Sequence, residues 1–497
     1  MMPSAESIAS AIASFARRPA FVGRDYLVTY EDLVQLADTP EIAAVQMGGV
    51  RVIVVLPDGV HAFLTHLLLF LKGAIHVPLS ISSPCDRVAA VAAAVKPHLF
   101  MTTRALAARY RAVCPIDCKI VVLDDIEPDA AAVGRAVSAG LASGARGLVA
   151  EPTTIRYIIF TSGSMGEPKG VCLSASNIIA AAEMNVRALG LLPGRRSLVG
   201  VPHFDYYGLI QVYSHVLSGA CVVSGGALMF PSDIERGLAS ATTDLVTVPF
   251  ALKHIVRQVR KHNLSSFASL QVITCSSDIL TDECLQEVFA LHPAVRVFDI
   301  YGLTEAGRSC FKEITQDSLG QRTLGTPAQG VRLSLIGESA VDGVGEIIIE
   351  GPNVMLGYFR GIEGEHVVLK HYAQMRTGDL GQRASDGAIK LLGRIGHMIN
   401  IRGHKVHPIE IERAALAVEG VVEARASRFD EEGSAQIRLE LVCAGQRSAI
   451  EQEVLLALRR TLPPALVPTD FVHRDSLERT EIGSKLRRQA VVQPDDR

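Results

Sequence analysis

The chain has 497 residues, 48% hydrophobic and 20% charged, with 42 glycines, 23 prolines and no tryptophan. That apolar content supplies a large core and excludes wholesale disorder. Lys plus Arg is 49 against 52 Asp plus Glu, a formal charge of −3, which leaves no electrostatic case for nucleic acid as a main partner.

Residues 1–18 lack a basic start and a sustained apolar stretch, so no secretion signal is expected. The greasiest run, residues 62–71, is interrupted by His66 and is about half of the roughly 20 residues that span a bilayer. It reads as a buried helix, and no membrane span is expected. The 9 cysteines are an odd number without framework spacing. Cys114 and Cys118 have no second Cys or His pair nearby, so reduced thiols in a cytoplasmic protein are expected rather than a metal site.

From Arg51 onward, β-branched runs alternate with amphipathic stretches. Residues 51–56 precede a helix through Leu71, 119–125 form a further strand, and 245–248 precede a helix through Lys261. This spacing predicts an α/β fold, with helices on both faces of parallel sheets. Residues 129–147, rich in Ala, Gly and Ser, read as a surface connection. After Thr323, strands at 331–336 and 345–350 flank a turn, which predicts a small antiparallel or barrel-like β portion. A last α+β unit begins near Gly393, with a helix from Pro408, a strand at 435–442, a helix at 449–460 and a strand at 467–472. The expected division is a large body over 1–393 and a small domain over 394–497, with a ligand cleft between them.

The stretch 157–171, YIIFTSGSMGEPKGV, carries the most chemistry. A strand runs into Thr161, Ser162, Gly163, Ser164 and Gly166, followed by Lys169. Small and hydroxyl residues let backbone N–H and O–H groups converge on an anion, and the lysine adds charge. The loop suits phosphate but is not a Walker A motif, because no Gly-Lys-Ser/Thr opens a helix.

This string resembles the signature loop of the AMP-forming acyl-CoA synthetase, adenylation-domain and luciferase superfamily. The family's other motifs are matched in order. Residues 29–33 and 71–78 resemble its early motifs; Tyr301-Gly302-Leu303-Thr304-Glu305 resembles YGxTE; and 376–381 resembles the TGD motif. Gly393-Arg394 through Gly403, then Pro408 and 410–412, resembles the hinge, and 480–488, with Lys485, resembles the C-terminal lysine motif.

The resemblance implies that ATP and Mg²⁺ are used to activate a small carboxylic or amino acid. Glu305 would ligate Mg²⁺, and Thr304 would hydrogen-bond the α-phosphate. Asp379 would accept the ribose hydroxyls with help from Arg394, and Tyr301 would lie against adenine. Lys485 would bridge acyl carboxylate and phosphate. An anion attacking a polyanion needs such neutralisation and in-line holding. The C-terminal domain is expected to be mobile.

The chain departs from the family pattern at several points. Gly396 replaces the usual hinge Asp, Asn400 replaces a lysine, Ser484 replaces a glycine, and Ser276-Ser277-Asp278 stands for the usual Gly-Gly-Glu near adenine. His203-Phe204-Asp205-Tyr206-Tyr207-Gly208 occupies the gate beside the acyl pocket in either of two registers. Aligned on Gly208, Asp205 stands at the gate itself; aligned on Phe204-Asp205, it resembles the Asp that binds a substrate ammonium in amino-acid-activating domains; the alternative reading makes it a cap for a helix starting near Gly208.

The function implied is formation of an acyl adenylate with release of pyrophosphate, then transfer to a thiol. That thiol is coenzyme A or the phosphopantetheine arm of a carrier protein, expected as a separate chain. The alternatives are a stand-alone amino-acid adenylating enzyme, a ligase with an amine acceptor, and an inactive nucleotide-binding relative. Retention of Lys485, Glu305 and Asp379 argues against the last.

Overall fold

A computed structural model describes residues 5–479, apart from 24–25, 39–46, 116, 124–129, 145–153, 162–168, 226–227, 229, 279, 322, 339–342, 365, 372–373, 402–403 and 432–433. Ser162, Gly163, Ser164, Gly166 and Lys485 therefore lie outside the described residues.

Two large sheets organise the chain, one of nine strands and one of eight. In the eight-stranded sheet, Arg51–Val55 lies between Ile75–Pro78 and Leu99–Thr102, all parallel. In the nine-stranded sheet, Arg196–Val199, Asp244–Thr247, Val272–Ser276 and Arg296–Leu303 are likewise parallel neighbours. The α/β class follows from the alternation of β-branched and amphipathic runs. Val60–Leu71 is a helix with ten buried residues, apolar all round because it is enclosed. With Ala175–Leu189 and Tyr206–Ser218 it shares one core with strands of both sheets. No described helix is long and apolar enough to cross a membrane.

Two expectations are corrected. Where a surface connection over 129–147 was expected, Ala130–Gly144 is a helix. Its Val133 and Val137 are buried, one helical turn apart, and supply the apolar stripe that docks it. At Gly140 an added Cβ would come 2.7 Å from Val121, so the glycine permits a close approach to the Lys119–Val122 strand. The β portion after Thr323 is antiparallel, as one of the two readings had it, and not barrel-like. It is an open four-stranded sheet in which Arg332–Ile336, Val344–Glu350, Met375–Arg383 and Ile389–Arg394 are successive antiparallel neighbours. Its edges stay unclosed because, among the described residues, the first and last of these strands are not paired with each other.

From Ile399 onward the buried residues form a cluster of their own. The helix Pro408–Leu416 starts with proline, whose fixed φ suits the first helical turn. Val421–Glu431 and Ser434–Cys443 form a long antiparallel pair, joined in parallel by Asp470–His473, and Arg447–Thr461 covers them with Val454 and Leu458.

Candidate active site

The strands on either side of the Gly- and Ser-rich string pair with each other. Ile155–Thr161 pairs antiparallel with Lys169–Ser174, with Thr161 opposite Lys169. Lys169 Nζ lies 5.7 Å from the centre of the Tyr358 ring, and the Tyr358 hydroxyl donates to Glu305 Oε1 at 2.7 Å. The loop lysine thus stands one residue away from the YGxTE carboxylate.

Tyr301 and Gly302 end the strand Arg296–Leu303, and Leu303 pairs with Ala306, so Thr304 and Glu305 form a two-residue turn between antiparallel strands. At Gly302 a Cβ would meet Arg308 N at 2.7 Å, which only glycine avoids.

Asp379 owes its position to a bulge. Glu346 faces Leu380 and Ile348 faces Arg376, so Thr377, Gly378 and Asp379 together oppose Ile347. Such an insertion bends the strand and re-aims a side chain. The Thr377 hydroxyl donates to Ile347 O at 2.8 Å and accepts from Asp379 N at 3.0 Å. Gly378, at φ +71°, donates its N–H to buried Glu346 at 3.1 Å, and Arg376 Nε donates to the same carboxylate at 2.8 Å. Asp379 thereby reaches Arg394, its partner across the strands. Its carboxylate accepts from Arg394 Nε at 2.9 Å and from Tyr301 Oη at 2.8 Å. Asp379 is only 5% exposed. Burial pushes its carboxyl above the ordinary value, opposed by Arg394 and the Tyr301 hydroxyl.

Asp379, Arg394, Tyr301, Gly302 and Ser276-Ser277-Asp278 line one cavity of about 280 Å³. It lies at the carboxyl ends of Val272–Ser276 and Arg296–Leu303, where open α/β sheets place ligands. The Ser276 hydroxyl is tied to Ile300 O at 2.7 Å. Ser277 has φ +80°, a left-handed geometry uncommon outside glycine, where the resembling family carries glycine.

Asp205 is the cap of the helix Tyr206–Ser218, accepting from Tyr207 N at 2.9 Å. The helix begins two residues before Gly208. Burial raises the Asp205 carboxyl above its ordinary value, while the Tyr207 N–H and Arg308 oppose the shift. Buried Arg308 donates to Tyr207 O at 3.1 Å and lies 4.4 Å from the Tyr207 ring centre. Tyr206 packs on Gly307, where a Cβ would come 1.8 Å from its ring, which brings the gate string against the YGLTE hairpin. His203 is buried, and its N–H donates to Asp58 at 2.7 Å. Phe204 is half-buried beside it. Gly396 sits in the short turn Ile395–His397, with open space where a Cβ would be.

The sequence reading missed several residues. Tyr358 and Arg308 carry no local signal. His397 and His407 line the cavity; His397 lies inside the hinge string and His407 directly before its Pro408, where their ionisable rings were visible.

The Mg²⁺ implied by the fold family fits this arrangement. Glu305 Oε1 is occupied by Tyr358, and Oε2 has no hydrogen-bond partner among the described residues. A single carboxylate supplemented by phosphate oxygens is a usual Mg²⁺ set. Among the described residues no cluster of three or more His, Cys, Asp or Glu could hold a metal by itself.

The profile of the AMP-binding enzyme family matches residues 8–359. The chain belongs to that family, within the adenylate-forming ligase superfamily. A probable non-canonical nonribosomal peptide synthetase of Salinispora arenicola is 29% identical over 492 residues, covering 92% of this chain and 6% of that protein. The L-proline–[L-prolyl-carrier protein] ligase of Pseudomonas fluorescens is 27% identical over 444 residues, covering 83% of this chain and 82% of that one. The chain spans only 6% to 30% of the length of four larger curated relatives, that synthetase included. A benzoate CoA ligase from Burkholderia xenovorans has the same fold, with TM-score 0.80, 20% identity and coverage of 97% and 98% of the two chains.

Proposed function

We propose that the protein activates a small carboxylic or amino acid with ATP as the acyl adenylate, releasing pyrophosphate, and then passes the acyl group to a thiol. The observation that carries this reading is the buried Asp379 carboxylate, held by Tyr301 and Arg394 on the cavity wall. Two carboxylate oxygens fixed in this way suit a ribose diol. Thr304 and Glu305 follow in the adjoining turn, where the α-phosphate would lie. Mg²⁺ held by Glu305 would neutralise phosphate charge as the acid attacks. Lys169 and the hydroxyl-rich loop would hold the outgoing pyrophosphate, and Lys485 would stabilise charge developing on the attacking carboxylate and α-phosphate. Ser276, Ser277 and Asp278 would border the adenine, and His203, Phe204, Asp205 and Tyr206 the acyl group.

The division we propose falls between 393 and 394, with the smaller domain rotating about Gly396 between the two half-reactions. The acceptor is coenzyme A or a carrier-protein phosphopantetheine, since relatives named for carrier-protein and CoA ligation both resemble this chain. The setting we propose is the cytoplasm, a reading supported by nine free cysteines.

The test is pyrophosphate release with a panel of aliphatic, aromatic and amino acids, followed by mass detection of thioester on coenzyme A and on carrier protein. Release of ADP and phosphate in place of AMP and pyrophosphate would overturn the reading.

A further inference from the structure

A guanidinium lies buried beneath the gate string with no carboxylate to balance it. Arg308 follows the YGLTE turn on the strand Ala306–Ile314 and is 3% exposed. Nη2 donates to Tyr207 O, and Cζ stands over the Tyr207 ring. Nε has no hydrogen-bond partner, and among the described residues no Asp or Glu forms an ion pair with Arg308. Asp205 is near enough to feel its charge, but the Asp205 carboxylate accepts from Tyr207 N as the helix cap. Burial pulls the guanidinium below its ordinary value.

A second donor is stranded beside it. The Tyr206 ring packs on Gly307, the residue before Arg308, and its buried hydroxyl has no partner. Arg308 also holds φ +60°, a left-handed geometry that is costly outside glycine and gathers at ligand-binding sites. Leaving a buried donor unmade costs more than a made bond contributes, and a buried charge is strongly destabilising until something pairs with it. Two stranded donors, one of them cationic, describe a site for an anion, and the planar fork of a guanidinium suits a carboxylate.

We infer that Arg308 is a specificity-determining residue which, with the Tyr206 hydroxyl, pairs with an anionic group of the acyl substrate, so that the acid carries a second carboxylate besides the one adenylated. The inference rests on the reading proposed above, in which the gate string borders the acyl group. The reacting carboxylate is a poor partner for Arg308, because it must meet the α-phosphate at the Thr304–Glu305 turn. Arg308 stands three residues beyond Glu305 on the outgoing strand, roughly 10 Å along it.

The test is pyrophosphate release from acids of matched size that differ in a second carboxylate: pentanoate and glutarate, meta-toluate and isophthalate, norvaline and glutamate. Wild type, Arg308→Met, Arg308→Lys and Tyr206→Phe are compared, each first checked for wild-type circular dichroism. In the pair that wild type turns over best, kcat/KM for the diacid is expected to exceed that for the monoacid roughly 10- to 150-fold, the scale of one charged hydrogen bond. Arg308→Met removes this preference, Arg308→Lys keeps part of it, and Tyr206→Phe lowers it by less. A wild-type preference for monoacids overturns the inference. So does equal loss for both members of a pair in Arg308→Met, the sign of a structural role or of a contact with the reacting carboxylate. Melting temperature in the presence of each acid reads the pairing without turnover. A diacid-specific rise that Arg308→Met abolishes, with no pyrophosphate released, keeps the anion site and fails the proposed ligase reaction instead. Neither a diacid-specific rise nor diacid-specific release in wild type overturns the anion site. If Arg308→Met does not fold, Tyr206→Phe, which lacks a single oxygen, carries the same comparison.

Discussion

Replacing Asp379 with asparagine separates what this carboxylate does for the fold from what it does for nucleotide binding. One oxygen accepts from Arg394 Nε and the other from Tyr301 Oη. Arginine can only donate, so the asparagine carbonyl is expected to stay on Arg394. The new NH₂ then faces the Tyr301 hydroxyl, which can turn and accept. The network survives with one hydrogen bond reversed, and a buried charge is gone. Stability near neutral pH is therefore expected to stay within about 1 kcal/mol of wild type, on the scale of one net hydrogen bond. Nucleotide binding loses an acceptor for a ribose hydroxyl, at about 1.5–3 kcal/mol for a hydrogen bond to a charged group, or roughly a 10- to 150-fold rise in the Kd for AMP.

The pH dependence has a defined sign. Burial raises the Asp379 pKa above its ordinary 3.8, so the folded state binds this proton more tightly than the unfolded chain. The stability contributed is fully present below 3.8 and is lost as pH rises through the folded value. Any advantage of the asparagine variant must therefore shrink as the solution is acidified. Calorimetric titration with AMP and denaturant midpoints across pH measure both effects. An unchanged Kd would refute the ribose assignment. A loss of several kcal/mol in stability would show instead that the ion pair with Arg394 is structural.

Three further outcomes are expected. Tyr358→Phe removes the donor to Glu305 and should slow adenylation about tenfold, consistent with one lost charged hydrogen bond, with a higher Mg²⁺ requirement; an unchanged Mg²⁺ titration would show that Tyr358 does not orient Glu305. Asp205→Asn keeps a good helix cap, so an equal effect on an amino acid and its deamino analogue means a cap only, whereas selective loss of the amino acid, about 1.5–3 kcal/mol, means an ammonium contact. Burial lowers the pKa of His66, His76 and His203, that of His76 to about 3. Each stays neutral in the fold while the unfolded chain protonates below its ordinary 6.5, so stability should fall by up to about 1.4 kcal/mol per pH unit per histidine as pH drops. Denaturant midpoints at successive pH values, with His76→Phe as the comparison, check this; a pH-independent difference between the two proteins would contradict it.

Much of the architecture was legible because its causes are local. The β-branched run 51–56 has the strand period, the apolar run 62–71 can only be enclosed, and Pro408 marks a helix start through its fixed φ. The strings around Lys169, Thr304 and Asp379 stood out in the same way, as short stretches whose residue types would suit the phosphate and ribose roles proposed for them. Composition misled where packing decided. The Ala- and Gly-rich stretch 129–147 looked like a connection, yet Val133, Val137 and a close approach at Gly140 make Ala130–Gly144 a docked helix. Two strands and a turn after Thr323 suited an antiparallel sheet or a barrel alike, because closure depends on whether the first and last strands meet, which no local pattern encodes.

The same distinction runs through the site. Residue type marked Asp379 and Tyr301 as candidates, but they are 78 positions apart. Their hydrogen bond exists because a bulge opposite Ile347 turns Asp379 toward Arg394 and the end of a strand in another sheet. Tyr358 on Glu305 and Arg308 beneath Tyr207 likewise depend on register and packing between distant segments. Backbone preference and hydrophobic period act over a few residues, so the sequence alone could determine the elements and the chemistry available. Which side chains meet is decided by strand register and close packing of the whole chain, and only the tertiary structure contains that.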